Sequence, residues 1–228
     1  MMIGFYDYTV ILTYMSLVSA VGGIALITSD HPILATFCLL FCGLCDMFDG
    51  KVARSKKNRT AEEKSFGIQI DSLVDVIAFG ALPGTMTIEL CNHRWYAYLV
   101  AALFVLAGVI RLAYYNVTEE MRQKDTDEVR KAYSGLPITF SSLIFPFFFC
   151  LISVYCMKQD HISLFLQLFQ QNSVLRYALC GITALTGIAF ITPFKVPKPS
   201  SRELWLLLVF GAVMALVLLI VYLKFVLK

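Results

Sequence analysis

Long apolar stretches dominate the chain, and charged or turn-forming residues interrupt them mainly at their ends. A helix needs roughly 20 apolar residues to cross a bilayer. The candidate spans are residues 9–28, 32–48, 68–90, 95–115, 136–157, 174–192 and 203–225. Because these runs are longer than the strands of a membrane barrel and do not alternate, they predict helices. We therefore expect an all-α fold, a polytopic bundle of transmembrane helices.

The composition excludes an ordinary soluble domain. Of the 228 residues, 58% are hydrophobic and 15% are charged, and the mean hydropathy is +0.73, whereas about a quarter of the residues in a soluble domain are charged. Residues 193–202 are rich in proline and predict a break before the last span. We expect one membrane domain over residues 1–192, followed by a linker and an additional C-terminal transmembrane helix over residues 193–228.

The distribution of basic residues predicts the orientation of the bundle. Lysine and arginine collect between the second and third spans, after the fourth span and before the seventh. Since cytoplasmic connections carry an excess of these residues, we expect all three connections and the N-terminus in the cytoplasm. An odd number of spans then places the C-terminus outside, unless residues 158–173 form a further partial segment. Residues 117–134 carry both charges and predict a short solvated helix or a mobile cover.

Four aspartates border the second and third candidate spans. Asp46 and Asp49 are three residues apart, and Asp71 and Asp75 are four residues apart, which puts each pair on one face of its helix. If the two helices are neighbours, the four carboxylates converge. Uncompensated charges near hydrocarbon are unfavourable, so the site would be protonated or would hold cations. Oxygen ligands alone suit hard ions such as Mg²⁺, Mn²⁺ or Ca²⁺.

The residues between the aspartates favour a shared site over a purely structural role. Isolated acidic residues at span borders cap helices, pair with basic loops or face water. Here Gly50, Ala53 and Gly67 are interleaved with the acids, and small residues let a flat ligand or another helix approach the backbone. Two divalent ions would bridge a diphosphate, and Arg54 adds a planar cation suited to phosphate.

These positions form a recognisable signature. It reads Asp46-x-x-Asp49-Gly50-x-x-Ala53-Arg54, then Gly67-x-x-x-Asp71-x-x-x-Asp75. The pattern resembles the signature of the CDP-alcohol phosphotransferases, integral membrane enzymes of phospholipid synthesis with a six-helix core. One departure is visible, because the spacer of residues 55–66 is longer than usual by four residues. A loop tolerates such an insertion at little entropic cost.

The resemblance implies roles for individual residues. The divalent metal ligands would be Asp46, Asp49, Asp71 and Asp75, with Asp75 alternatively serving as the catalytic base. The nucleotide and diphosphate would be bound by Asp49, Gly50, Ala53, Arg54 and Gly67. The acceptor or a lipid phosphate would contact Arg111, Asn116, Gln69 or Ser72, although Arg111 also fits an interfacial arginine beside aromatic residues and the others fit polar helix contacts.

Residues 66–84, 110–117 and 133–139 further resemble the branch of this family that uses serine as acceptor. This implies transfer of the phosphatidyl group from CDP-diacylglycerol to L-serine with release of CMP, with two Mg²⁺ or Mn²⁺ ions, or Ca²⁺, per site. It also implies a homodimer in the lipid bilayer and no nucleic-acid partner, while the basic connections predict an active site that faces the cytoplasm. The alternatives are a family member that uses glycerol 3-phosphate or an inositol phosphate, and, more distantly, a divalent-cation transporter.

Overall fold

The computed structural model describes residues 4–125, 132–157, 163–197 and 200–226, and nearly all of them are helical. The α-helices are α1 Ile11–Thr28, α2 Pro32–Ser55, α3 Ala61–Asp75, α4 Leu82–Leu90, α5 Trp95–Asp125, α6 Ser141–Met157, α7 Ser163–Gln171, α8 Ser173–Ile191 and α9 Ser201–Val226. Within the described residues, seven helical segments are long and apolar enough to cross a membrane. The prediction of an all-α polytopic bundle is confirmed.

The helices around the aspartates extend beyond the predicted spans. Helix α2 continues to Ser55 rather than ending near residue 48, and α3 begins at Ala61 rather than near residue 68. The start of α3 is fixed by a capping box, in which Thr60 and Glu63 satisfy each other's backbone N–H groups. The acidic residues therefore lie within helices rather than at span borders, and the connection between the helices is only residues 56–60.

The third span is continuous but not uniform. A π-helical segment, Val76–Ala81, joins α3 to α4, so that the span runs over Ala61–Leu90. Pro83 lies just after the π-helical segment, so the continuous helix lacks one backbone N–H donor at this point. π-helical turns are frequent at functional sites, and this one begins directly after Asp75.

The bundle packs around the third span. Ala78, Phe79, Leu82 and Met86 have no exposed side-chain surface. Helix α1 packs along α2 and also contacts α3, the π-helical segment and α4, while α5 packs against α8 on the other side of the third span. Helix α1 therefore holds α2 and the third span in register at the end that carries the aspartates.

Two short strands lie at the end of the bundle that carries the aspartates. Helix α5 extends to Asp125 instead of ending near residue 115, and residues 126–131 of the expected mobile cover lie outside the described residues. Strand β1 (Ala132–Ser134) pairs antiparallel with β2 (Lys195–Pro197). The helical analysis did not predict these strands, which are three residues each and give no periodic signal.

The segment left open in the sequence, residues 158–173, contains helix α7, and the predicted last span corresponds to helix α9. Helix α7 has nine residues, which is too short to cross a bilayer, and residues 158–162 lie outside the described part. Helix α9 packs against α6 and α2, where Met214, Leu218 and Val221 are buried with Cys150 and Ile33. The division at residue 192 stays a prediction.

Candidate active site

Three aspartates from two helices meet in one cluster. Asp46 and Asp49 of α2 and Asp71 of α3 each offer a carboxylate oxygen, and these three atoms all lie within 4.8 Å of one another. Asp49 also interacts electrostatically with Asp71 and Asp46. The spacing predicted that four carboxylates would converge if the two helices were neighbours, and the structure brings three of the four into one group. The roles assigned to these residues stay predictions.

The donor set of this cluster fits a hard divalent cation. All the ligand atoms are carboxylate oxygens, which is the chemistry that Mg²⁺, Mn²⁺ and Ca²⁺ prefer. Carboxylates this close repel one another strongly when they are ionised, so the arrangement needs either a shared proton or positive charge between or beside them. The cluster can therefore hold a metal ion, and its oxygen donors do not distinguish among these three ions.

Asp75 lies one helical turn deeper than Asp71, where the π-helical segment begins. Its side chain is buried, with 8% of its surface exposed, and it interacts electrostatically with Asp46, Asp71 and Asp49. It is not a member of the group of three whose oxygens lie within 4.8 Å. Asp75 therefore lies outside the tight cluster, and this position suits a carboxylate whose role differs from metal binding.

Arg111 supplies positive charge to the deep side of the site. It extends from α5, is 9% exposed, and interacts electrostatically with Asp46 and Asp75. Its guanidinium also lies over the ring of Tyr115, 5.7 Å from the ring centre. Arg111 is therefore a buried part of the site wall, which is less consistent with an arginine at the lipid headgroups.

The other predicted acceptor residues lie nearby. Asn116 of α5 donates a hydrogen bond of 2.8 Å from its amide to the hydroxyl of Ser72 on α3, so these two residues bind each other across the site. Gln69 is exposed and lines the same cavity. Contact of any of them with an acceptor stays a prediction.

The predicted nucleotide-binding glycines each face an arginine. A Cβ atom added at Gly50 would lie 3.3 Å from Nη1 of Arg54, and one added at Gly67 would lie 2.6 Å from Nη2 of Arg59. Ala53 is half-buried one turn from Gly50. The two glycine surfaces therefore lie beside guanidinium groups as well as beside the carboxylates.

A large cavity opens from the acidic cluster towards the membrane region. Its volume is about 1830 Å³, and Asp46, Asp71, Asp75 and Arg111 line its polar end. Its apolar walls include Leu40, Leu44, Leu143, Leu204, Leu207 and Phe210. A ligand with a charged head and long apolar tails matches this division, because each part would meet surface of its own polarity.

Two parts of the site were not predicted from the sequence. Helix α9 contributes Leu204, Leu207 and Gly211 to the cavity wall, although its sequence matches no diagnostic motif. Arg59 lies in the spacer of residues 55–66. The unusual length of this spacer was the feature of the sequence that could have drawn attention to Arg59. The sequence held a weaker indication that α9 lines the cavity, namely the small residues that interrupt its aliphatic stretch.

Comparisons with known proteins agree with this geometry. The family model described as CDP-alcohol phosphatidyltransferase matches residues 8–227. The CDP-diacylglycerol–serine O-phosphatidyltransferase of Saccharomyces cerevisiae is 28% identical over 176 residues, which cover 74% of this chain and 60% of the yeast protein. The protein of that name from Helicobacter pylori strain J99 is 26% identical over 195 residues, covering 85% of this chain and 73% of that protein.

An archaeal relative extends the range of the match. The archaetidylserine synthase of Methanothermobacter thermautotrophicus is 33% identical over 116 residues, which cover 50% of this chain and 46% of that protein. No solved structure gives a significant match.

Proposed function

Because the chain belongs to the CDP-alcohol phosphatidyltransferase family, we propose that it transfers the phosphatidyl group of CDP-diacylglycerol to L-serine, releasing CMP and forming phosphatidylserine. The relatives from yeast and H. pylori carry the name of this reaction. The structural observation that carries the proposal is the group of three convergent carboxylates, two of which, those of Asp46 and Asp71, line the polar end of a cavity with apolar walls.

The cavity suits both halves of this substrate. The diphosphate would lie at the acidic cluster, between the Gly50 and Gly67 surfaces, with Arg54 beside it. The acyl chains would extend between α2, α6 and α9, where the lining is apolar. Because these chains come from the lipid bilayer, which is as apolar as the groove, the groove would position them by packing contacts rather than by removing them from water.

Asp75 is the proposed general base. An alcohol becomes a competent nucleophile when a carboxylate at hydrogen-bond distance accepts its proton. In the proposed step, the serine hydroxyl oxygen bonds to the β-phosphorus, its proton passes to Asp75, and the bond from that phosphorus to the CMP oxygen breaks. Asp75 lies next to the cluster but outside it, so it is available for this proton transfer.

The residues that would hold the metal are Asp46, Asp49 and Asp71, with Mg²⁺ or Mn²⁺ proposed, Ca²⁺ as the alternative, and two ions per site. Such ions would neutralise the diphosphate and the negative charge that develops on it. Arg111 on α5 would also help to neutralise this negative charge. It would contact the carboxylate of serine or a lipid phosphate. Asn116, Ser72 and Gln69 would line the acceptor side.

The proposal extends to the membrane and to assembly. The seven apolar helical segments fit an integral multi-pass protein. The basic residues near the acidic end favour a cytoplasmic active site, and the family resemblance favours a homodimer.

The experiment measures CMP release by the purified protein in detergent or liposomes. CDP-diacylglycerol is offered with L-serine, glycerol 3-phosphate or inositol phosphate in separate reactions, and the lipid product is identified by mass spectrometry. Phosphatidylserine with serine alone is the expected result. CMP release with a phosphorylated acceptor instead would reassign the substrate, and cation flux into liposomes without CMP release would reject the enzyme. A labelled phosphatidyl-enzyme trapped without serine would contradict direct displacement.

A further inference from the structure

Arg59 extends from the connection between α2 and α3 along the surface of α3. Its Nη2 atom donates a hydrogen bond of 3.0 Å to the carbonyl oxygen of Glu63. The same atom lies 2.6 Å from the position that a Cβ at Gly67 would take. The guanidinium therefore occupies the space that the absent side chain leaves, directly on the glycine surface proposed to face the nucleotide.

The backbone that carries Arg59 is fixed on both sides. Lys56 forms ion pairs of 2.8 Å with Asp7 and 2.9 Å with Glu63. Thr60 caps α3 and receives the N–H of Glu63 on its hydroxyl. A turn held by these contacts presents Arg59 in a defined position, so the long spacer forms a built structure at the rim of the site.

The guanidinium of Arg59 has hydrogen-bonding capacity beyond its bond to Glu63. Its Nε atom is buried, and no acceptor for it lies among the described residues. Arginine carries five N–H donors in a planar fork that matches phosphate oxygens, and buried donors are normally satisfied. An anionic ligand on the Gly67 surface would supply the acceptor.

Helix α2 also has a glycine that lies beside an arginine. Arg54 lies over Gly50 of α2 as Arg59 lies over Gly67 of α3. Each glycine also has an aspartate of the cluster near it on its own helix, Asp49 beside Gly50 and Asp71 one turn after Gly67. A diphosphate bound at the aspartates of both helices would therefore have one guanidinium near it from α2 and one from the connection that precedes α3.

We propose that Arg59, together with Arg54, binds the phosphate on the cytidine side of CDP-diacylglycerol, the phosphate that leaves with CMP. This inference rests on the proposed function, and it assigns a substrate contact to the spacer that distinguishes this chain from the usual signature. Arg59 would move from the carbonyl of Glu63 towards the phosphate as the nucleotide settles on Gly67.

The test compares Arg59→Gln with Lys57→Gln, which removes an exposed positive charge from the same connection. Binding of CMP to the purified full-length protein in the presence of Mn²⁺ is measured by titration calorimetry. Losing a hydrogen bond to a charged group should weaken CMP binding by about tenfold or more in Arg59→Gln. The KM for CDP-diacylglycerol should rise by a similar factor, with the KM for serine unchanged, and Lys57→Gln should match the wild type in all three.

A third variant, Arg59→Lys, keeps the test informative if Arg59→Gln fails to fold. Arg59→Lys keeps the charge and most of the stem but loses the planar fork, so its CMP affinity should fall between those of the wild type and Arg59→Gln. Equal CMP affinities for wild type, Arg59→Lys, Arg59→Gln and Lys57→Gln would overturn the role of Arg59. If Arg59→Gln aggregates, the test uses Arg59→Lys alone. A CMP affinity of Arg59→Lys equal to that of the wild type would then overturn the proposal that the planar guanidinium of Arg59 binds the phosphate. Failure of the wild type to release CMP with any acceptor would instead overturn the proposed function.

Discussion

The amide of Asn116 on α5 donates a hydrogen bond of 2.8 Å to the hydroxyl of Ser72 on α3. Ser72 follows Asp71 directly, and Asn116 lies on the helix that carries Arg111. The bond therefore ties the wall that bears the arginine to the helix that bears two of the aspartates. Hydrogen bonds between transmembrane helices typically contribute about 1 kcal/mol.

A double-mutant cycle measures this bond. Asn116→Ala and Ser72→Ala should each lower the free energy of unfolding in detergent by about 1 kcal/mol, and the double variant should lose less than the sum, because only one bond is removed. Tyr114→Phe, at an exposed position on the same helix, should change little. Strictly additive losses would mean that the two side chains do not stabilise each other.

The aspartates are expected to separate into two functional classes. Asp71→Asn removes a member of the tight cluster, so Mn²⁺ binding, followed by electron paramagnetic resonance, and metal-dependent CMP binding should both be lost. Asp75→Asn should keep much of the CMP binding yet reduce turnover by at least about a hundredfold, the usual contribution of a general base. Asp30→Asn, near the other end of α2, is the control for loss of one carboxylate.

Metal removal provides a complementary measurement on the unmodified protein. Chelation should abolish CMP release, and Mg²⁺ or Mn²⁺ should restore it. Wild-type turnover in Asp75→Asn, or full activity after chelation, would contradict the division of roles among these carboxylates.

The sequence predicted the acidic cluster well because helical periodicity is a local property. Spacings of three and four residues put Asp46 with Asp49 and Asp71 with Asp75 on single faces, and the apolar runs left a helical bundle as the plausible fold. The length of α2 beyond residue 48 was missed, because charged residues such as Lys51 and Arg54 resemble a loop in a hydropathy pattern although they are good helix formers.

Long-range packing could not be predicted in the same way. The contact of Arg59 with Gly67 depends on how the connection folds back over α3, and the place of α9 in the cavity wall depends on its packing against α6 and α2. Neither follows from periodicity. The pairing of β1 with β2 likewise joins segments about 60 residues apart in the chain, and strands of this length carry no pattern of their own.

Gly135 occupies a position that tolerates no side chain. Its φ is +74°, and a Cβ there would lie 2.5 Å from the carbonyl oxygen of Phe190. Gly135→Ala should therefore destabilise the protein by about 1–3 kcal/mol or more, seen as a lower thermal midpoint in detergent. Gly181→Ala is the matched control, because a Cβ there meets nothing within 4 Å and alanine favours a helix by about 1 kcal/mol over glycine. Equal midpoints for the two variants would contradict the turn geometry.

Helix α9 should affect the use of lipid substrate without affecting nucleotide binding. Gly211 lines the apolar part of the cavity, so Gly211→Leu would fill space proposed for an acyl chain. We expect the KM for CDP-diacylglycerol to rise several-fold, because the added side chain would displace acyl carbons from their packing contacts, with CMP affinity unchanged. Leu216→Phe adds bulk at an exposed position on the same helix and should leave both values unchanged. Wild-type kinetics in Gly211→Leu would remove α9 from the substrate groove.

The ion pair between Asp7 and Lys56 predicts a pH dependence of stability. Hydrogen bonds from Lys56 and from Thr9 lower the pKa of Asp7 to about 2, below the value of about 3.9 expected in the unfolded chain. Since the folded pKa is the lower one, Asp7 contributes its full stabilisation above about pH 4 and loses it as the pH falls towards 2.

The thermal midpoint of Asp7→Asn should therefore lie below that of the wild type at pH 7, with the difference narrowing below about pH 4. Lys56→Gln should lower the midpoint further at pH 7, because Lys56 also pairs with Glu63, and its difference from the wild type should narrow over the same acidic range. A difference between wild type and Asp7→Asn that stays constant from pH 7 to pH 3 would show that this pair does not connect the segment before α1 to the turn that carries Arg59.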